Sequence, residues 1–190
     1  MLTRKFLAAV ALGGGAALSL GHAFPQSNPA FEEWTASFEG NSLDPAKWER
    51  FTFEGGAGGT FKVENGELRM RSVNGSRAGV RSKQKFTGDH FIVEAAVAKV
   101  GAAQPEPGSG GLTPGDAHLT VLFDDSGRNR IECIYTSEGT FEAWAVVNGQ
   151  GERLDNRKLA TKIQNPTLGV VRRGDEFLFM LNGQIGLQKH

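Results

Sequence analysis

From residue 31 onward, short runs of alternating apolar and polar residues follow one another, separated by turn residues and with almost no helical periodicity. A period of two places successive side chains on opposite faces of a strand, so this pattern predicts half-buried β-structure. It marks strands at residues 61–63, 67–72, 79–82, 91–97, 118–123, 129–136, 141–148, 167–173, 176–182 and 184–188. Asn-Gly steps separate apolar runs in VENGEL, SVNGSR, VVNGQG and MLNGQI. Both central residues of a tight hairpin turn must accept positive φ, and Asn-Gly does so at low cost. Many short strands at regular spacing predict an all-β, antiparallel sandwich or barrel. Only residues 43–48 (LDPAKW) and 156–161 read as single helical turns. Residues 101–115, GAAQPEPGSGGLTPG, form a long connection with Leu112 as its one hydrophobic anchor, either a surface insertion or a cover for a ligand groove.

The turns fix register. In IYTSEGTFEAW a three-residue loop, Ser137-Glu138-Gly139, pairs Thr136 with Thr140 and sets Tyr135 opposite Phe141, Cys133 opposite Ala143 and Glu132 opposite Trp144. A two-residue turn would place apolar residues against charged ones, so the hydrophobic pattern selects the longer loop. The preceding hairpin closes in the same way through Asp125-Ser126-Gly127, setting Val121 against Ile131 and Leu119 against Cys133. One face then carries Leu119, Val121, Phe123, Ile131, Cys133, Tyr135, Phe141, Ala143 and Ala145 toward the core. The other carries Thr120, Glu132 and Trp144 in one row, His118, Ile134 and Glu142 in the next, and Arg130 alongside. An aromatic ring flanked by carboxylate, hydroxyl and imidazole suits a flat polar ligand such as a sugar, whose apolar face stacks while its hydroxyls find polar partners. An ordinary solvated face is the plainer reading.

Composition narrows the function classes. The opening MLTRKFLAAVALGGGAALSLGHA has a basic start (Arg4, Lys5), an apolar run over residues 6–20 and small residues Gly21 and Ala23 before a cleavage point. That is the form of a secretory signal peptide, residues 1–23, and the expected location is periplasmic or extracellular. The apolar run is shorter than a membrane span and rich in Gly, so no span is expected after cleavage. A short linker, residues 24–30, would lead into a single domain, residues 31–190. Cleavage takes away Arg4 and Lys5, leaving 19 basic against 21 acidic residues, a net charge of −2. A chain so near neutrality has no electrostatic footprint for nucleic acid. Cys133 is the single cysteine, which excludes a disulfide framework and predicts a buried thiol.

WTASFEGNSLDPAKWERF, FKVENGELRMRS and LGVVRRGDEFLFMLNGQ together resemble the concanavalin A-like lectin/glucanase superfamily, of which laminin-G-type modules are members. Phe38, Leu43, Asp44 and Trp48 match the family's opening, and the resemblance spans residues 31–188. It implies an antiparallel jelly-roll β-sandwich, with Trp34 and Trp48 as core pieces and Gly174-Asp175 as a turn pairing Val170 with Phe179 and Leu168 with Leu181. Members usually continue past the final hairpin with one more strand; residues 184–190 are either that strand in shortened form, or the domain lacks it. The ExDxxE strand of the laminarinase-type members is absent, and so is the second strand motif of the alginate-lyase relatives.

Three functional readings follow. The leading one is a lectin-like module binding a polysaccharide or other glycan through Trp144, Glu132, Glu142, Thr120, His118 and Arg130. The second is a glycoside hydrolase or lyase using Glu132 and Glu142, diagonal neighbours about 7–8 Å apart at Cα, a spacing compatible with an inverting carboxylate pair at about 6.5–9.5 Å. The third is a non-catalytic protein-interaction or structural module. No cofactor motif is present: GGAGG at residues 55–59 precedes a strand rather than a helix. Asp124 and Asp125 in FDDSGRN offer hard oxygen ligands for Ca²⁺, although Asp and Gly are also what a hairpin turn requires.

Overall fold

The computed structural model of the protein describes residues 5–8, 34–53, 59–72, 78–101 and 115–189. Among the described residues fourteen strands follow one another: β1 (Lys5–Ala8), β2 (Trp48–Thr52), β3 (Gly59–Glu64), β4 (Glu67–Ser72), β5 (Ala78–Ser82), β6 (Lys85–Thr87), β7 (His90–Ala96), β8 (Asp116–Leu122), β9 (Arg130–Thr136), β10 (Thr140–Val147), β11 (Gln150–Lys158), β12 (Thr167–Arg173), β13 (Glu176–Leu181) and β14 (Gln184–Lys189). A six-stranded sheet in the order β11-β10-β9-β8-β1-β6 faces a four-stranded sheet in the order β14-β13-β12-β7. Two hairpin-sized sheets, β2-β5 and β3-β4, complete the set, and every pairing is antiparallel. The chain is an all-β antiparallel sandwich, with no helix among the described residues.

The turns are built as their sequences require. Asn65-Gly66, Asn148-Gly149 and Asn182-Gly183 all take positive φ at both positions and close β3-β4, β10-β11 and β13-β14. Gly139 sits at φ 82°, and its three-residue loop gives the pairs Tyr135–Phe141, Cys133–Ala143 and Glu132–Trp144. Val121 pairs with Ile131 and Leu119 with Cys133, and in the last hairpins Val170 pairs with Phe179 and Leu168 with Leu181. The SVNGSR turn, the 101–115 connection beyond Gly101 and before Gly115, and residues 9–33 lie outside the described residues.

The core is where alternation places it. Leu119, Val121, Cys133, Phe141 and Ala143 from the larger sheet meet Leu168, Val170, Phe179 and Leu187 from the smaller one, all buried. Phe38 stacks on Trp48 at 5.3 Å between ring centroids, and Trp34 meets Trp48 edge-on at the same distance. Both tryptophans therefore serve packing. Asp44 starts the one helical turn that forms: its side chain accepts from the Ala46 amide at 2.9 Å and its carbonyl from the Trp48 amide at 2.9 Å.

Four strands depart from the sequence expectation. β1, β2, β6 and β11 were not marked by apolar alternation, and the expected helical turn at residues 156–161 is instead the end of β11 followed by irregular chain. In β11, QGERLDNRK, only Leu154 is apolar and eight of nine residues are exposed, so hydrophobic periodicity carries no signal there. It is an edge strand, and charge along an edge blocks pairing with another chain. Residues 5–8, within the stretch read as a signal peptide, pair as β1 between β8 and β6.

Candidate functional site

The outward face of β8, β9, β10 and β11 carries the polar constellation. Register aligns Thr120, Glu132, Trp144 and Arg153 in one row across the four strands. His118, Ile134, Glu142 and Asn156 form the next row, and Leu122, Arg130, Val146 and Gly151 the row on the other side. Gly151 lies beside both Trp144 and Val146: a Cβ there would make ordinary contact, at 3.9 Å, with the Trp144 ring and with Val146.

Glu132 lies at the centre and is only 1% exposed. Arg130 Nε donates to its Oε1 at 2.9 Å, and His118 Nδ1 stands 3.8 Å from the same oxygen, an ion pair rather than a hydrogen bond. His118 Nε2 is 3.2 Å from Asp116 Oδ2. Arg130 is held on its far side by the Gly127 carbonyl, to which Nη1 donates at 2.6 Å, and by the Phe53 ring 4.4 Å from its guanidinium carbon. Burial alone would favour neutral His118, but the carboxylates of Asp116 and Glu132 outweigh it and raise its pKa from 6.5 to about 9. Burial would likewise raise the Glu132 carboxyl; His118 and Arg130 overcome that and hold it at about 2. The cluster is thus a charged, internally balanced network beneath the face.

Above it, Trp144 is half-buried and its indole Nε1 donates to Glu142 Oε2 at 2.7 Å, which fixes the ring orientation. Arg153 lies alongside with its guanidinium carbon 5.9 Å from the ring centroid. Of the six residues expected to meet a ligand, all share this face. Trp144, Glu142, His118 and Arg130 retain partial exposure, whereas Thr120 and Glu132 are buried beneath them. Arg153 and Asn156 are additions from β11 that hydrophobic patterning did not find. The signal was available: a two-residue Asn-Gly turn implies a returning strand whatever its polarity.

A general acid needs a carboxyl raised toward the working pH, whereas Glu132 is pushed in the opposite direction and has no open access. Glu142 is engaged by the Trp144 indole. Cys133 faces the core, fully buried, and burial pushes its thiol up to about 12, so it is no nucleophile.

Asp124 and Asp125 serve the turn between β8 and β9. Asp124 accepts from Ser126 Oγ at 2.6 Å and from the Asn129 amide and side chain at 2.8 and 2.7 Å. Asp125 pairs with Lys85 at 2.6 Å. Among the described residues no group of three His, Cys, Asp or Glu side chains could hold a metal ion. Among the described residues no helix is long and apolar enough to cross a membrane.

No family model matches this chain, and no curated protein does. A solved structure does. The carbohydrate binding module CBM66 from Bacillus subtilis superposes with a TM-score of 0.53 over 74% of this chain and 78% of that one, at 18% identity. At that identity the likeness bears on architecture, and it supports the β-sandwich described above.

Proposed function

We propose that the protein is a secreted, concanavalin A-like module of jelly-roll type that binds carbohydrate on the outward face of β8–β11. The observation that carries this reading is the Trp144–Glu142 pair. A half-exposed indole, oriented by a carboxylate at 2.7 Å, stands over a balanced ion network on a sheet that is otherwise packed. The ring offers an apolar surface to the C–H face of a pyranose or furanose, and Glu142, His118 and Arg130 offer hydrogen-bonding groups to its hydroxyls. A ready-made, rigid platform of this kind lowers the ordering cost that weakens glycan binding. The resemblance in fold to a carbohydrate-binding module supports the same reading.

Export rests on the N-terminal sequence: a basic start, an apolar run and small residues before Phe24. Cleavage there would remove β1 and open the place it holds between β8 and β6. The core residues named above all come from position 34 onward and would remain.

The test is a glycan array probed with residues 24–190. The reading predicts retention of at least one polysaccharide class, lost in Trp144→Ala while the melting temperature is kept. An array without signal for the wild-type chain would remove the reading.

A further inference from the structure

We propose that the glycan held on this face is anionic, and that Arg153 selects it by binding a carboxylate such as that of a uronic acid. The proposal rests on the carbohydrate reading and names the substrate class within it.

The first support is a β-bulge. Pairing between β10 and β11 is regular as far as Ala143–Asp155, and continuing it would place Leu154 opposite Trp144. The register shifts there instead, and Arg153 becomes the partner of Trp144. Leu154 packs against the core cluster and stays half-buried. A bulge costs ladder regularity and is found where a side chain has to be re-aimed. Here it exchanges a leucine for a guanidinium beside the one tryptophan on the face.

The second support is the charge inventory of the face, strand by strand. On β8, His118 and Asp116 pair with each other. On β9, Arg130 and Glu132 pair with each other. On β10, Glu142 accepts the indole proton. On β11, Lys158 Nζ donates to the Glu138 carbonyl at 2.7 Å and stands 3.9 Å from its carboxylate. Arg153 is the exception: among the described residues no acidic group lies within ion-pair distance, and its contact is with the Trp144 ring. It is exposed. A guanidinium presents parallel N–H donors that match a carboxylate in two hydrogen bonds, which an ammonium cannot do. A uronic acid offers both features that the pair accepts, an apolar ring face for Trp144 and a carboxylate at its edge for Arg153. Its hydroxyls would then fall toward the adjacent row, where Glu142 and Asn156 sit side by side.

Calorimetric titration of residues 24–190 with uronic-acid oligosaccharides and with neutral glucans of equal length tests this, using wild type, Arg153→Gln, Arg153→Lys and Trp144→Ala. The expected result is uronate binding about tenfold or more tighter than neutral binding, the scale of one charge-assisted pair. Arg153→Gln should abolish that preference, Arg153→Lys should restore it only in part, and raising the salt concentration should weaken it. Because Arg153 is an exposed edge-strand residue, an unchanged melting temperature is expected for its variants. Equal affinity for neutral and acidic oligosaccharides, or a uronate preference that survives Arg153→Gln, overturns the proposal and leaves the carbohydrate reading standing. No binding to either class overturns both.

Discussion

Glu132 and His118 show how a buried charge is kept in this protein. Neither could remain ionised alone at such low exposure, and each is held by an opposite charge two residues away on its own strand and by the other across the β8–β9 ladder. The sequence placed Glu132 beside Trp144 correctly, because a three-residue loop and the hydrophobic pattern leave one register. It could not show Glu132 buried, since that depends on Asp116, the Gly127 carbonyl and Phe53, which come from separate parts of the chain. The pair also predicts a pH profile. Folding raises the His118 pKa, so its contribution is complete below 6.5 and is lost as pH rises through about 9. Folding lowers that of Glu132, so its contribution is complete above 4.5 and is lost as pH falls through about 2. Thermal melts should therefore be most favourable between those inner limits and decline above pH 6.5, and His118→Gln should flatten the alkaline decline. A decline unchanged by that variant would place its origin elsewhere. Glu132→Gln removes the carboxylate that two cations share and should cost roughly 3 kcal/mol, near the lower end for breaking a buried ion pair, measured by urea unfolding at pH 6.

At the scale of elements, two kinds of information separate. Strands with one buried face were legible, and so were their turns, because apolar alternation and Asn-Gly steps have direct physical causes. β11 was not, because an edge strand facing water needs no apolar residue, and its charges satisfy a different requirement. The Arg153 bulge was invisible for a related reason: nothing in QGERLDNRK distinguishes one register from its neighbour. Close packing between sheets adds a further constraint. Gly186 in β14 lies against Phe141 of the opposite sheet, and a Cβ there would come within 2.7 Å of the fully buried ring. Phe141 has little freedom to yield, so Gly186→Ala should destabilise by about 1–3 kcal/mol, read as a lower urea midpoint. Gly169 offers a contrast, since its closest neighbour is the terminal methyl of Met180, at 2.7 Å. A flexible side-chain end can move aside, so Gly169→Ala should cost less than Gly186→Ala. Equal costs would contradict this account of the packing.

The whole molecule combines a packed sandwich with one outward face that is unusually polar underneath. The class of fold could be read from pattern alone, because many short alternating strands admit few arrangements. Function was legible only as a choice among readings, since turn and core residues specify architecture and leave the outer face free to vary. The structure narrows that choice through three side chains: Glu132 is held ionised and buried, Glu142 orients Trp144, and Arg153 is turned toward the indole by a bulge. On the reading proposed above they form a rigid recognition surface. The most direct test of that claim is amide and indole chemical-shift mapping of residues 24–190 titrated with a bound glycan. The account predicts the largest shifts at the Trp144 indole N–H and at the amides of Glu142 and Arg153, with the outer face of β7 and β14, around the exposed Ile92 and Ile185, unaffected. Shifts centred on that second sheet, or none at the Trp144 indole, would contradict it.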